Sequence, residues 1–203
     1  MRGVVRVFGP EPLSALVRVH SISTAADACI TVSLAGSLFF AVSVDAARPR
    51  LALYLLLTLA PFAIVAPLIG PVTDRFRGAA PAVIAVTGQA RAILALFIAI
   101  DLRGLLLYPE SFAVLVLGRS YSIVKRALVP ELVPDANDLV AANARLSRVG
   151  SVSGALGGAL AVAVFQASGP TAVLRLAAIL HVVGALLAFR IPSTSAVPET
   201  VSA

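Results

Sequence analysis

The chain has 203 residues, 59% hydrophobic and 13% charged, far more apolar than a soluble domain of this length needs to fill its core. That balance excludes an ordinary soluble enzyme or binding module and defines an integral membrane protein. The net charge of +6 raises nucleic acid as a partner, but the 16 bases fall singly at the ends of apolar runs instead of clustering on one polar face. They read as topology signals, and no nucleic-acid partner is expected.

Residues 1–21 mix Arg2, Arg6 and Arg18 with Val and Leu and read as a cytoplasmic segment at the membrane interface. Pro10, Glu11 and Pro12 interrupt it before any apolar core, so the first span is expected to act as an uncleaved insertion signal. That span covers residues 22–44 and carries one acid, Asp27. The link Asp45 to Arg50 leads into a second span, residues 51–69, with no charge across 19 residues and with Pro61 and Pro67 expected to kink it. At about 1.5 Å per residue, roughly 20 residues cross the ~30 Å hydrocarbon core, so runs of this length suffice.

A charged turn, Gly70-Pro71-Val72-Thr73-Asp74-Arg75-Phe76-Arg77-Gly78, joins the second span to a third at residues 81–100, which holds Gln89 and Arg91 near its middle. Asp101 to Gly104 closes that span on the outside. The fourth span, residues 109–125, is the shortest apolar signal: eight charge-free residues from Ser111 to Gly118 precede Arg119. A long cytoplasmic link is expected from Lys125 to Arg148, with Pro130 and Pro134 inside it and Asn137 or Asp138 as the next helix N-cap.

The fifth span, residues 149–166, places Gly150, Gly154 and Gly158 at intervals of four, a bare face suited to close helix contact. Gly169-Pro170 makes the outer turn, the sixth span covers residues 172–189, and residues 191–203 return to water as a cytoplasmic tail or the start of a linker. On this layout ten bases lie inside, three outside and three within spans. The asymmetry puts both termini in the cytoplasm and the chain in the plasma membrane as an all-α, six-span bundle.

Six helices with Gly-x-x-x-Asp-Arg between the second and third resemble the N-terminal half of a major facilitator superfamily transporter. Gly70, Asp74 and Arg75 match that family's loop pattern, while Arg77 stands where its second glycine is expected and Gly78 where the next base is expected. The stretch Ala127 to Pro134 leading to Ala142-Asn143-Ala144 is similar to the link before the fifth span in the drug-exporter-like branch. The branch's glycine motif is met by Gly150, Gly154 and Gly158, with Ala155 replacing its proline and Ala159 its last glycine. The resemblance implies a gating role for Gly70, Asp74 and Arg75, proton-coupled efflux of a small solute, and a second six-helix half as partner. It implies no cofactor and no metal.

An ionisable group in hydrocarbon costs about 2.5 to 3.5 kcal/mol on translocon scales, so Asp27, Arg91 and Arg119 need partners or water. Counting along the spans puts Asp27 and Arg119 at one depth, and they are expected to pair. Two readings of Asp27 stand side by side: half of a fixed structural ion pair, or a protonatable acid coupled to cavity opening. His181 is expected to be a buried neutral histidine bonded to a neighbouring helix, and Arg175 to snorkel to the outer interface. Cys29, the single cysteine, has no partner for a disulfide or metal site.

Three function classes compete. A secondary transporter, or half of one, leads; a non-transporting membrane scaffold or regulatory subunit with the same bundle is the alternative. An intramembrane serine hydrolase would have to use Ser153 and His181, yet no Gly-x-Ser-x-Gly sequence occurs.

Overall fold

The structure of the protein is a computed structural model that describes residues 11–39, 79–102, 104, 106–133 and 135–192, and the described residues contain only helices and turns. Four helical elements occur: α1 (Glu11–Phe39), α2 (Ala80–Ile100), α3 (Leu107–Leu132) and α4 (Ala136–Ala188). The all-α class is thus established. Six separate helices are not: the expected second span and the gating turn with Gly70, Asp74 and Arg75 lie outside the described residues.

Helix α1 absorbs residues 11–21, so the segment expected to lie apart at the interface forms three further turns of the first helix. Helix α2 starts with Pro81 in its first turn, where a missing N–H costs no helical bond, and stops at Asp101 with φ −138° and ψ 79°. Helix α3 continues to Leu132 through Pro130, and the Val133 N–H donates to the Val129 carbonyl to close its last turn. The expected link from Lys125 to Arg148 therefore shrinks to residues 133–135. Its N-cap is Asp135, whose carboxylate accepts the Asn137 N–H at 2.9 Å, not Asn137 or Asp138 themselves.

Helix α4 is broken at Gly169, where φ 79° and ψ 178° are open to glycine alone, and Pro170 starts the next helical turn. Its two arms, residues 136–168 and 170–188, are antiparallel, as their contacts with α1 show. Along the first arm, His20 faces Gly150, Thr24 faces Gly154 and Gly36 faces Phe165, so α1 and this arm run in parallel. Along the second, Ile22 faces Gly184 and Ser33 Oγ donates to the Pro170 carbonyl at 3.0 Å, so the direction reverses.

The closest approach lies at Gly157, where an added Cβ would stand 2.6 Å from Ala25 Cα, while Gly158 meets nothing within 4 Å. The packing row is thus Gly150, Gly154 and Gly157, and Gly158 drops out. A helix turns every 3.6 residues, so a face recurs at four and then three, not at four and four. The buried Cys29 Sγ lies 3.7 Å from the Gly157 carbonyl, donating a weak bond at the same crossing.

Two apolar layers fill the interior. One, at the end where α1 begins, joins Leu16, Val19, Ile84, Leu128, Leu132 and Leu146. The other joins Ile30, Ala95, Ile98, Ala161, Leu174 and Ala177. The outside is apolar as well: Val86, Phe97 and Ile100 on α2, Leu156, Ile179 and Leu186 on α4, and Phe189 just past its end are all exposed. By length and composition, Ala80–Ile100 and the element Asn137–Ala188 are long and apolar enough to cross a membrane.

Candidate functional site

Between the two apolar layers runs a polar belt to which all four described elements contribute. On α1, His20, Ser23, Thr24 and Asp27 recur at three and four residues and so share one face. Helix α2 brings Arg91, α3 brings Tyr121, and the second arm of α4 brings His181. Arg91 and His181 are each only 1% exposed, which ranks them among the deepest side chains of the protein.

Arg91 is the hub. Its Nη1 donates to both carboxylate oxygens of Asp27, at 2.7 and 3.0 Å, and its Nη2 donates to Ser23 Oγ at 3.1 Å. The Nε donates to the Thr87 carbonyl one turn back at 3.3 Å, which fixes the side chain against its own helix. Tyr121 completes the cage, with the guanidinium carbon 5.1 Å from its ring centroid. A planar fork with donors on every nitrogen suits this mixture of acceptors, and an ammonium could not satisfy it in one place.

His181 lies on the other side of the carboxylate. Its Nε2 stands 3.3 Å from Asp27 Oδ1 but out of line for a hydrogen bond, and it has no other partner among the described residues. The hydrogen bond expected for this histidine to a neighbouring helix is therefore not formed through Nε2. Asp27 differs from its partners in keeping 42% of its side-chain surface accessible.

The expected pairing of Asp27 with Arg119 is overturned. Arg119 is exposed on α3, and Tyr121, two residues and about 200° further around the helix, is the residue that faces the belt. Depth along a span says nothing about which way a side chain points, and the spans used for the count began and ended at other residues than the helices do. Gln89 and Arg175 are likewise exposed. Ser153 bonds Ser21 Oγ at 2.7 Å, leaving it no link to His181 of the kind a hydrolase would use.

A second polar group adjoins the first toward the end where α1 begins. His20 Nδ1 lies 3.2 Å from Tyr121 Oη and 3.4 Å from Thr24 Oγ1, and its Nε2 lies 3.2 Å from Lys125 Nζ. The two rings stack at 6.2 Å between centroids. Sequence reasoning did not reach His20, Ser23, Tyr121 or Lys125. The signal for the first two was present, in the helical spacing that carries His20 and Ser23 onto the face of Asp27.

Comparison with known proteins finds mycobacterial relatives. The chain is 36% identical over 210 residues to the uncharacterized protein ML2143 of Mycobacterium leprae, an alignment covering 94% of this chain and 36% of the relative. It is 35% identical over 210 residues to the uncharacterized protein Rv0876c of Mycobacterium tuberculosis strain H37Rv, covering 94% of the chain and 37% of that protein. The chain thus spans little more than a third of the length of these relatives. No family profile matches it, and no solved structure matches it.

Proposed function

We propose that the chain is one bundle of a membrane transporter of the major facilitator type, moving a small solute outward in exchange for protons. The observation that carries this reading is the Asp27–Arg91 pair, a partly exposed carboxylate bound to a buried guanidinium between two apolar layers. Such a pair stores a large penalty for whichever charge loses its partner. Protonating Asp27 frees Arg91 to seek another acceptor, and this couples a proton to a change of helix packing.

The apolar outer faces of α2 and α4 favour lipid as the surrounding medium; the plasma membrane with both termini cytoplasmic is the placement that the distribution of bases suggests. This reading takes α1, α2, α3 and the two arms of α4 as five of the six crossings. A second bundle, from another copy or from further chain, is the expected partner, and the length of the mycobacterial relatives leaves room for one.

The test uses vesicles reconstituted with the full chain, an entrapped pH dye and ethidium as the transported probe. Adding ethidium should move protons with the wild-type protein and not with Asp27→Asn. If a well-folded wild-type protein moves none, the bundle is a scaffold or regulatory subunit instead.

A further inference from the structure

We propose that His181 is a second, buried seat for the proton that Asp27 takes up: the carboxylate hands the proton inward to the imidazole, which holds it. This inference rests on the proton-coupled reading of Asp27 given above. The observation behind it is a single nitrogen. His181 Nε2 is buried and has no hydrogen-bond partner among the described residues, yet it stands 3.3 Å from Asp27 Oδ1. A polar atom stranded in a packed interior is costly, and native proteins keep few of them. In a neutral imidazole one ring nitrogen carries the hydrogen and the other a lone pair. A lone pair on Nε2 accounts for the missed bond, because two acceptors cannot bond without a hydrogen between them. A proton supplies that hydrogen.

The surroundings leave the imidazole and the carboxylate to each other. From α1, His181 is faced by Asp27, whose Oδ1 also accepts Arg91 Nη1 from α2 at 2.7 Å. From α3, Tyr121 lies against the guanidinium. His20, two turns back along α1, is engaged by Tyr121 and Lys125. The first arm of α4 carries no ionisable side chain between Arg148 and its end at residue 168, and on the arm of His181 itself Arg175 is exposed.

The step is one proton passed between two atoms. Asp27, the partly exposed member, takes the proton and Arg91 lets go. The Oδ1–H bond then breaks as the Nε2–H bond forms, and the electron pair of the broken bond stays on oxygen. Asp27 regains its charge, Arg91 returns to it, and the imidazolium Nε2–H donates to the same Oδ1. Nothing is oxidised or reduced, and the net change is one proton gained by His181. The transfer spares Arg91 from being stranded while the proton is carried. It also sets a direction. A proton on Asp27 can return to the side it came from, whereas one on His181 is released only when the second arm of α4 shifts on α1. Contacts on either side of the histidine hold that arm in place: Ile22 against Gly184, and Ser33 Oγ on the Pro170 carbonyl.

The experiment reads the two seats separately on the full chain in phosphatidylethanolamine and phosphatidylglycerol vesicles, over the pH range in which the protein stays folded. Solid-state NMR of isotopically labelled histidine reports the imidazole nitrogens, and His20→Gln tells the two histidines of the chain apart. Infrared absorption of the protonated carboxyl reports Asp27, with Asp27→Asn assigning the band. In the wild type, His181 Nε2 should carry no hydrogen at the alkaline end and gain one on acidification, with no protonated carboxyl beside it. In His181→Gln the carboxyl band should appear, since only Asp27 is left to hold the proton, and ethidium-driven proton movement should be lost. A histidine with a merely structural role would not move the proton from one signal to the other. The wild-type titration decides even if the glutamine variant misfolds. A hydrogen on Nε2 at every pH, or a protonated Asp27 beside a neutral His181, would overturn the inference and leave Asp27 as the seat of the proton. If neither group takes up a proton, the inference and the proton-coupled reading fall together.

Discussion

Arg91 reaches Asp27 across 64 residues of sequence, and the two are buried unequally: the guanidinium is 1% exposed, the carboxylate 42%. Losing the partner therefore means different things to each. An orphaned Arg91 has no water to turn to, whereas an orphaned Asp27 can hydrate or take up a proton.

The first prediction follows from that inequality. Asp27→Asn should destabilise the protein by about 3–5 kcal/mol, the range for stranding a buried charge, and Arg91→Gln by distinctly less. The double variant should regain most of the loss. Chemical or thermal unfolding in detergent checks this as a double-mutant cycle, and strictly additive losses would show that the two side chains do not depend on each other.

Neighbouring glycines should respond in opposite directions. Gly157→Ala forces a methyl to within 2.6 Å of Ala25 Cα and should cost about 1–3 kcal/mol through overpacking. Gly158→Ala meets nothing within 4 Å and gains helix propensity, so it should be neutral or stabilising by up to about 1 kcal/mol. Melting temperatures of the two variants decide the matter; equal shifts would mean that the α1 crossing lies elsewhere.

At the break in α4 the penalty is conformational. Gly169→Ala has open space around the new methyl, yet φ 79° with ψ 178° is denied to alanine, and a loss of about 1–3 kcal/mol is expected. Asn at the same position should not rescue it, because the left-handed region that Asn tolerates has ψ near +47°, not 178°. Rescue by Asn would indicate an ordinary helix C-cap there.

The direction of the helices sets a fourth expectation. Asn143 and Gln166 are exposed near opposite ends of the first arm of α4. In a Cys29→Ala background, cysteines at these two positions should be labelled by an impermeant reagent from opposite sides of the membrane. Labelling from one side would remove the crossing assigned to this arm.

Much of the layout was legible because apolar runs and breakers act locally. The third expected span, 81–100, coincides with α2 to within one residue, and Gly169-Pro170 marked the reversal in α4. What failed depended on direction or on neighbours. Helix α3 runs on through Pro130 to Leu132, packed by Leu128 and Val129 in the core, where the prolines and bases alone suggested a link. The partner of Asp27 is not legible from depth along a span, because depth carries no azimuth. Arg91, noted as lying near the middle of its span, proved to face α1. Glycines at intervals of four suggest one row, but a helix does not keep that period.

Helix α1 is synthesised before α2, α3 and α4, yet it packs against both arms of α4. Arg91, the cation that Asp27 pairs with, is made only with α2, and the groove that Ala25 and Gly36 fit does not exist until residue 165 has been made. Any factor that holds membrane helices during synthesis has a defined client here, the polar face of α1, for the whole interval before its neighbours arrive.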